Sequence, residues 1–528
     1  MHTLRPLCEA SEFQLTTCPI KTIKSMQTQT VIINFKGGIV SPGYLKEILL
    51  VVQQSGVSNL SFGLRQQLIM EIPAKKYEKF NELCGLNKIF AYKAKEAPPN
   101  IMSSYPATGI FGSDNWLREG VYKDIFDLFR HTAQLKINIC DGQQSFAPFF
   151  TGHINWVSST SEHFWHLYIR FPRTKTIYKW KDCVYSNDLP VVSRKIESEI
   201  LSDRFLFVAN EKPDGNLLYQ RVRQLTAYVS KPAVEEPVIK FSLPYYEGFN
   251  KANNQLWLGI YRRNELFPVD FLIDVCDICL KTRVGQFYTT PWKSIIIKNI
   301  DAATRNIWDL VLGKYRINVR HAANELNWQV EDMSEEGLQL KRNVIRHFDK
   351  DDVRTYGLCF AVQTKPASSM FGSVVIQKQQ TKNPQRLRSL ERYDILYRKN
   401  FNPNEGEVIV YREGVEKEHL GVYLAGLCKY FYEMGIKENI ISETNHSTEE
   451  VTVEKRIVYQ CRHCYTVYDP EIGDEELNIE SGTEFKDLDA TYHCPLCQAS
   501  KEEFLPVEES MLSSTVAGHI TLNNSTFN

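Results

Sequence analysis

Four cysteines near the carboxyl-terminal end stand in the pattern C-x2-C-x29-C-x2-C: Cys461-Arg462-His463-Cys464 and Cys494-Pro495-Leu496-Cys497. A C-x-x-C turn lets two sulfurs converge on one ion from a short loop, and two such knuckles complete a tetrahedron of thiolates. Backbone N–H groups of each knuckle can point at the sulfurs and stabilise their negative charge. Iron held this way stays tetrahedral in both oxidation states, so an electron passes with little reorganisation. No coordination position is left open for a substrate. The spacing admits iron, which gives one-electron transfer, and equally zinc, which only folds a small domain.

The other nine cysteines (8, 18, 84, 140, 183, 276, 279, 359 and 428) are scattered through 528 residues, which is no disulfide framework. His163-x-x-His166 and Cys276-x-x-Cys279 have ligand spacing, but each lies among large apolar residues and reads as core. No apolar run reaches the roughly 18–20 residues that span a bilayer. The opening MHTLRPLCEASEFQLTTC has no continuous apolar stretch of the kind that directs secretion. The expectation is a cytoplasmic protein without a membrane span, in which thiolates stay available to metal.

The formal charge of −1 hides an asymmetry. Residues 457–510 carry a net −10 and the remainder a net +9. An acidic module joined to a basic body favours electrostatic docking within or between chains. The expected partner is a redox protein rather than nucleic acid.

The elements that must position these groups follow from periodicity. VIINFKG alternates like a strand, and Pro42 opens a helix with Leu45, Ile48, Leu49 and Val52 on one face. Residues 61–72 read as a second strand, and AKKYEKFNELCGL as a second helix. The order recurs in LWLGIYR, FPVDFLIDVCDICLKTR, VGQFYTTPWKSIIIKNI and DAATRNIWDLVLGKY, which predicts an internal duplication of 30–106 in 255–318 with a cleft between the copies. LKINIC, HINWVSS and HLYIRF read as strands behind a helix at VYKDIFDLFRHT. The fold class is α+β. The expected divisions are a polar arm 1–29, half domain 30–106, α+β domain 107–242, half domain 243–318 and α+β domain 319–438. A linker 439–455, a metal domain 456–508 and a disordered tail 509–528 follow.

Residues 461–504 resemble a rubredoxin along its whole length. The resemblance is carried by Tyr468-Asp469-Pro470, Gly473-Asp474, Gly482-Thr483 with Phe485, Cys494-Pro495-x-Cys497, and Lys501 with Phe504. It implies one iron ion in the four thiolates of Cys461, Cys464, Cys494 and Cys497. Tyr465 and Gln498 stand where rubredoxins usually carry Gly after each knuckle, and Tyr492 replaces the usual core Trp.

The body has a weaker resemblance. SGVSNLSFGLRQQLIMEIP is similar to the ferredoxin-like half domain of sulfite and nitrite reductases, with Arg65 and Gln66 at the Arg-Gln of its T-x-R-Q segment and Gly63 in place of the Thr. FYTTPWKSIII resembles the T-P-W-R form of that strand, with Lys293 at the basic position. The resemblance implies a duplicated ferredoxin-like, sulfite-reductase-like body that binds sirohaem, a macrocycle with eight carboxylates. Arg65, Gln66, Lys293 and Arg320 are its expected contacts, with Arg118 and Arg262 lining the same cleft. The C-x5-C and C-x3-C spacings that hold the four-iron cluster of those reductases do not occur in the body, so no such cluster is expected. The expected function is a rubredoxin-type electron carrier with a reductase-like body, serving nitrite or sulfite assimilation. The alternatives are a sirohaem-dependent oxidoreductase without the cluster and a non-redox binding protein with a zinc ribbon.

Overall fold

The structure, a computed structural model, describes residues 27–111, 116–174, 176–234, 239–252, 254–365, 370–380, 391–405, 407–445, 457–463, 466–474, 477 and 479–508. The arm before residue 27, residues 381–390, residues 446–456 of the expected linker and metal domain, Cys464, Tyr465 and the tail after 508 lie outside the described residues. The chain divides into two compact units, Met1–Glu433 and Met434–Asn528.

The first unit is built on two five-stranded sheets. One runs in the order Phe267–Pro268, Asn59–Phe62, Gln67–Pro73, Thr28–Asn34, Ala91–Lys93. The other runs Gly248–Ala252, Gln255–Ile260, Ile295–Ile300, Phe287–Thr289, Ile39–Val40. Each copy of the repeat lends the other a short edge strand. Phe267 pairs with Leu60, and Val40 pairs with Phe287. The helices that follow the lent strands, Pro42–Gln54 and Val269–Lys281, bury Leu45, Ile48 and Val52 and Leu272, Val275 and Cys276 in one shared core. Ser41 caps the first of these helices by accepting from the Tyr44 N–H.

Two α+β sheets complete the unit and repeat each other. Met102–Ser103, Ile137–Cys140 and Ile154–Ser158 pair in parallel, and Phe164–Arg170 joins antiparallel. Trp328–Val330, Phe360–Gln363 and Val374–Lys378 likewise pair in parallel, and Tyr393–Arg398 joins antiparallel. Parallel neighbours need a crossover, supplied first by helix Glu119–Leu128 and then by Glu335–Lys350. The duplication thus takes in the α+β sheets as well as the half domains.

Residues 61–72, read as one strand, are a tight hairpin: the Gly63 N–H donates to Gln67 O at 2.8 Å and the Gln66 N–H to Gly63 O at 2.9 Å. The second copy makes the same turn, Thr290 N–H to Ser294 O and Lys293 N–H to Thr290 O. Gln66 and Lys293 both adopt positive φ, 62° and 54°, so the register equates Gln66 with Lys293 and Arg65 with Trp292. Helix Leu420–Asn445 runs further than its apolar pattern, into the polar segment from 439 read as linker.

The second unit contains a three-stranded sheet in the order Val467–Tyr468, Ile457–Cys461, Phe504–Glu508. Its core is aromatic: Tyr459 stacks on Phe485 at 4.1 Å, with Tyr468, Tyr492 and Phe504 around them.

Gln66 ties the two copies together. Its fully buried amide donates to Ser103 O and Thr289 O and accepts from the Ser103 N–H. Gln66→Leu keeps the volume but leaves these groups unpaired, and each orphaned buried group costs about 1–3 kcal/mol. Denaturant unfolding of the variant should show a loss of about 2 kcal/mol or more.

Candidate functional site

The sheet of the second unit sets Cys461 at a strand end, opposite Phe504. The Cys461 N–H donates to Thr466 O at 2.8 Å and closes the first knuckle. The Cys494 N–H donates to Ala499 O at 2.8 Å and the Gln498 N–H to Cys494 O at 2.9 Å, which closes the second. These turns bring the sulfurs of Cys461, Cys494 and Cys497 within 4.8 Å of one another. The Cys461 and Cys497 sulfurs are 3.6 Å apart, and the edge of an S4 tetrahedron with metal–sulfur bonds of about 2.3 Å is about 3.8 Å. The donor set fits a tetrahedral thiolate ion. Cys464, the fourth expected ligand, lies outside the described residues.

Cys461 and Cys494 are buried, whereas Cys497 is exposed beside Leu496, so one edge of the site meets the surface. Gln498 sits at φ 61°, the left-handed backbone for which Gly is usual at this position. Tyr492, in place of Trp, packs edge-on against Tyr468 and Phe485 and turns its hydroxyl toward Asp474.

In the first unit, two adjoining cavities of about 420 and 530 Å³ share Lys136, Thr151, His153 and Met370 in their walls. Arg170, Arg173 and Arg398 line one, and Arg65 and Lys365 line the other. The acidic lining is Glu405 in the first and Glu331 and Asp332 in the second. The basic groups act on one another. Burial, then Arg65 and Arg170, push the Lys136 ammonium down to about 8. Burial, then Arg170, Lys136 and Arg65, push His153 down to about 3, so its imidazole is neutral. His153 Nδ1 accepts from the Lys136 N–H at 3.1 Å, which leaves the ring proton on Nε2. The Lys136 ammonium makes no hydrogen bond or ion pair with another described residue.

The expected contacts separate. Arg65 lines the cavity, but its guanidinium donates to Asn100 O, Ile137 O and Asn138 Oδ1. Asn138 in turn donates to Thr151 and Asn155, so Arg65 buttresses the turn that carries His153. Gln66 lies between the copies, outside the cavity lining. Lys293 is buried against Glu265 at 2.6 Å and Asp332 at 3.5 Å, and these carboxylates hold its pKa up against burial. Arg320 and Arg118 are exposed, and Arg262 is half-buried with its Nε donating to Leu266 O. None of these last four lines either cavity. Lys136, His153, Arg170 and Arg398 escaped notice in the sequence. The available signal was position: Lys136 and His153 each immediately precede a strand, and Arg170 and Arg398 each end one.

His166 is buried with Nδ1 3.2 Å from the Cys183 sulfur, and Cys276 and Cys279 are buried on one helix with thiols pushed up by burial. His166, Cys276 and Cys279 behave as core, as their apolar surroundings led us to expect, whereas His163 departs from that expectation: it sits on a turn at φ 61° with 40% of its side chain exposed and its Nε2 3.8 Å from Glu162.

Cys494→Ser should abolish ferric-thiolate absorption while the far-ultraviolet circular dichroism of the body persists; unchanged colour would remove Cys494 from the ligand set. Gln498→Gly should relieve a left-handed side-chain clash worth about 1 kcal/mol. The variant should then bleach at a higher temperature than the parent when the visible band is followed.

The rubredoxin family model matches residues 458–504. The chain is 44% identical over 59 residues to a probable rubredoxin of Methanothermobacter thermautotrophicus, covering 11% of this chain and 90% of that one. It is 43% identical over 49 residues to rubredoxin-2 of Chlorobaculum tepidum, covering 9% of this chain and 94% of that one. The NirA protein of Mycobacterium tuberculosis superposes with a TM-score of 0.54 at 12% identity, over 75% of this chain and 79% of that one, and so shares the fold of the body. Through its carboxyl-terminal domain, the chain belongs to the rubredoxin family.

Proposed function

We propose that this protein is a rubredoxin-type one-electron carrier whose body takes an anionic tetrapyrrole, serving nitrite or sulfite assimilation in the cytoplasm. The observation that carries the reading is the convergence of Cys461, Cys494 and Cys497 in a rubredoxin domain. The expected ion is iron, with Cys464 as the fourth ligand. Cys497 at the surface gives a redox partner protein a short route to the ion.

The basic cavity favours a second, compatible reading, a sirohaem-dependent oxidoreductase without a four-iron cluster. Its donor set suits a polycarboxylate: Lys136, Arg170 and Arg398 supply charge, and the neutral His153 donates from Nε2. Bound there, a sirohaem iron would supply the redox centre at which an oxoanion is reduced. The protein's own share is to hold carboxylates, present Lys136 and His153 to a small anion, and keep Arg65 bracing the Thr151–His153 turn.

The visible spectrum of the full chain from iron-replete cells tests the reading. Ferric-thiolate bands that bleach with dithionite, together with a Soret band from the body, are the expected result. One zinc per chain and no colour after growth without added zinc would overturn it. The cavity also carries a pH signature. Lys136 loses its proton as pH rises through about 8, so affinity for an anionic ligand should fall above that pH. Lys136→Met should flatten the profile.

A further inference from the structure

The segment that leads into the strand Ile137–Cys140 is held by side chains. Three consecutive N–H groups, those of Gln134, Leu135 and Lys136, each donate to one. The first two meet Glu197 Oε1 at 2.7 and 2.8 Å, and the third meets His153 Nδ1 at 3.1 Å. Glu197 is buried on the helix Leu189–Ser202, and its Oε2 lies 3.2 Å from His131 Nε2. A buried carboxylate is costly unless it is hydrogen-bonded, and two adjacent N–H groups aimed at one oxygen supply that bonding.

The second copy closes the same segment differently. Helices Leu189–Ser202 and Leu420–Asn445 each follow a short turn, at Ser186–Asp188 and Lys417–His419, which sets Glu197 against Cys428. Lys136 and Cys359 each precede the second parallel strand, and His153 and Ser373 each precede the third. The Cys359 N–H donates to Ser373 Oγ at 3.2 Å, as the Lys136 N–H does to His153. Leu135 therefore matches Leu358, whose N–H donates to the backbone at Thr355 O at 3.1 Å. Ahead of Cys359 the turn bonds to itself; ahead of Lys136 a carboxylate from another helix supplies the acceptor.

Lys136 stands in the walls of both cavities, and Arg65, Arg170 and Asp332 are the charged groups that act on its ammonium. Its main chain is fixed from three sides. Glu197 holds the two preceding N–H groups, His153 holds its own, and Arg65 donates to Ile137 O at 2.8 Å. Of the three, Glu197 alone lines neither cavity, so it reaches the site only through the peptide.

We propose that Glu197 is a positioning residue: its carboxylate anchors the N–H groups of Gln134 and Leu135 and so sets the Lys136 ammonium where the two cavities adjoin and an anionic ligand meets it. The proposal rests on the reading of Lys136 as an anion contact given above and adds the residue that holds it there.

Trace acetylation of the full-length protein with acetic anhydride, read site by site by mass spectrometry across a pH series, tests the anchor without anion or cofactor. In the parent, Lys136 should become reactive with a midpoint of about 8. Glu197→Gln keeps an oxygen for the two N–H groups and should leave that midpoint in place. Glu197→Ala should move it up by about one pH unit or more, because a released Lys136 leaves its basic neighbours for water. A role in packing alone would lower the unfolding temperature and leave the Lys136 titration where it was. If Glu197→Ala fails to fold, Glu197→Asp, one methylene short of both N–H groups, carries the test with a shift in the same direction. Nitrite affinity gives the functional arm: Glu197→Ala should weaken it about tenfold in the parent and add nothing in the Lys136→Met background. An unchanged Lys136 midpoint in the Ala variant, or in the Asp variant where that stands in, would overturn the positioning role and leave the anion reading intact. The expected labelling with a nitrite affinity indifferent to Lys136→Met would uphold the anchor and overturn the anion reading. A parent whose Lys136 titrates as an ordinary lysine would overturn both.

Discussion

Arg170 and Arg398 face one cavity because two copies of one fold close on each other, and most of the body can be traced to that closure. Each half-domain sheet is completed at its edge by a strand from the other copy, so neither copy has its full hydrogen-bonded ladder alone. The exchange joins the helices Pro42–Gln54 and Val269–Lys281 in one core. Arg170 and Arg398, at matching strand ends, both line the cavity of about 420 Å³.

The metal domain obeys a different constraint. Its core is a handful of aromatic rings, and a domain this small gains much of its stability from a bound ion. The two knuckles are closed by the same bond, an N–H on the first Cys donating to the carbonyl five residues on. That bond forces a reversal of the chain after the second Cys. In the second knuckle the reversal puts a side-chain-bearing residue, Gln498, in left-handed backbone, and the geometry holds despite the clash.

Elements with strong local period were legible from the sequence: the helices behind Pro42 and Pro268, the strands at Ile137, Ile154 and Phe164, and the recurrence of element order. The hairpins at Gly63–Gln67 and Thr290–Ser294 were not, because neither turn has Gly at its positive-φ position, and Gln66 and Lys293 read as strand continuation. Lys293 seemed a cleft cation, but the turn folds it onto Glu265 and Asp332. The four cysteines declared themselves because their spacing is local. The basic cavity did not, because Lys136, His153, Arg170 and Arg398 come together only through strand order.

The two copies carry different groups at matching positions. At the position of Arg65 the second copy has Trp292, whose indole donates to Phe146 O and stacks on Tyr246 in a buried aromatic cluster. At the positions of Lys136 and His153 it has Cys359 and Ser373, which satisfy each other by mutual hydrogen bonds. The first copy instead keeps an ammonium pushed down to about 8 and an imidazole pushed down to about 3, both disfavoured as cations by burial and by their neighbours. The same frame thus carries self-satisfied groups on one side and, on the other, basic groups whose charged forms are disfavoured, a departure from local consistency of the kind that clusters at functional sites.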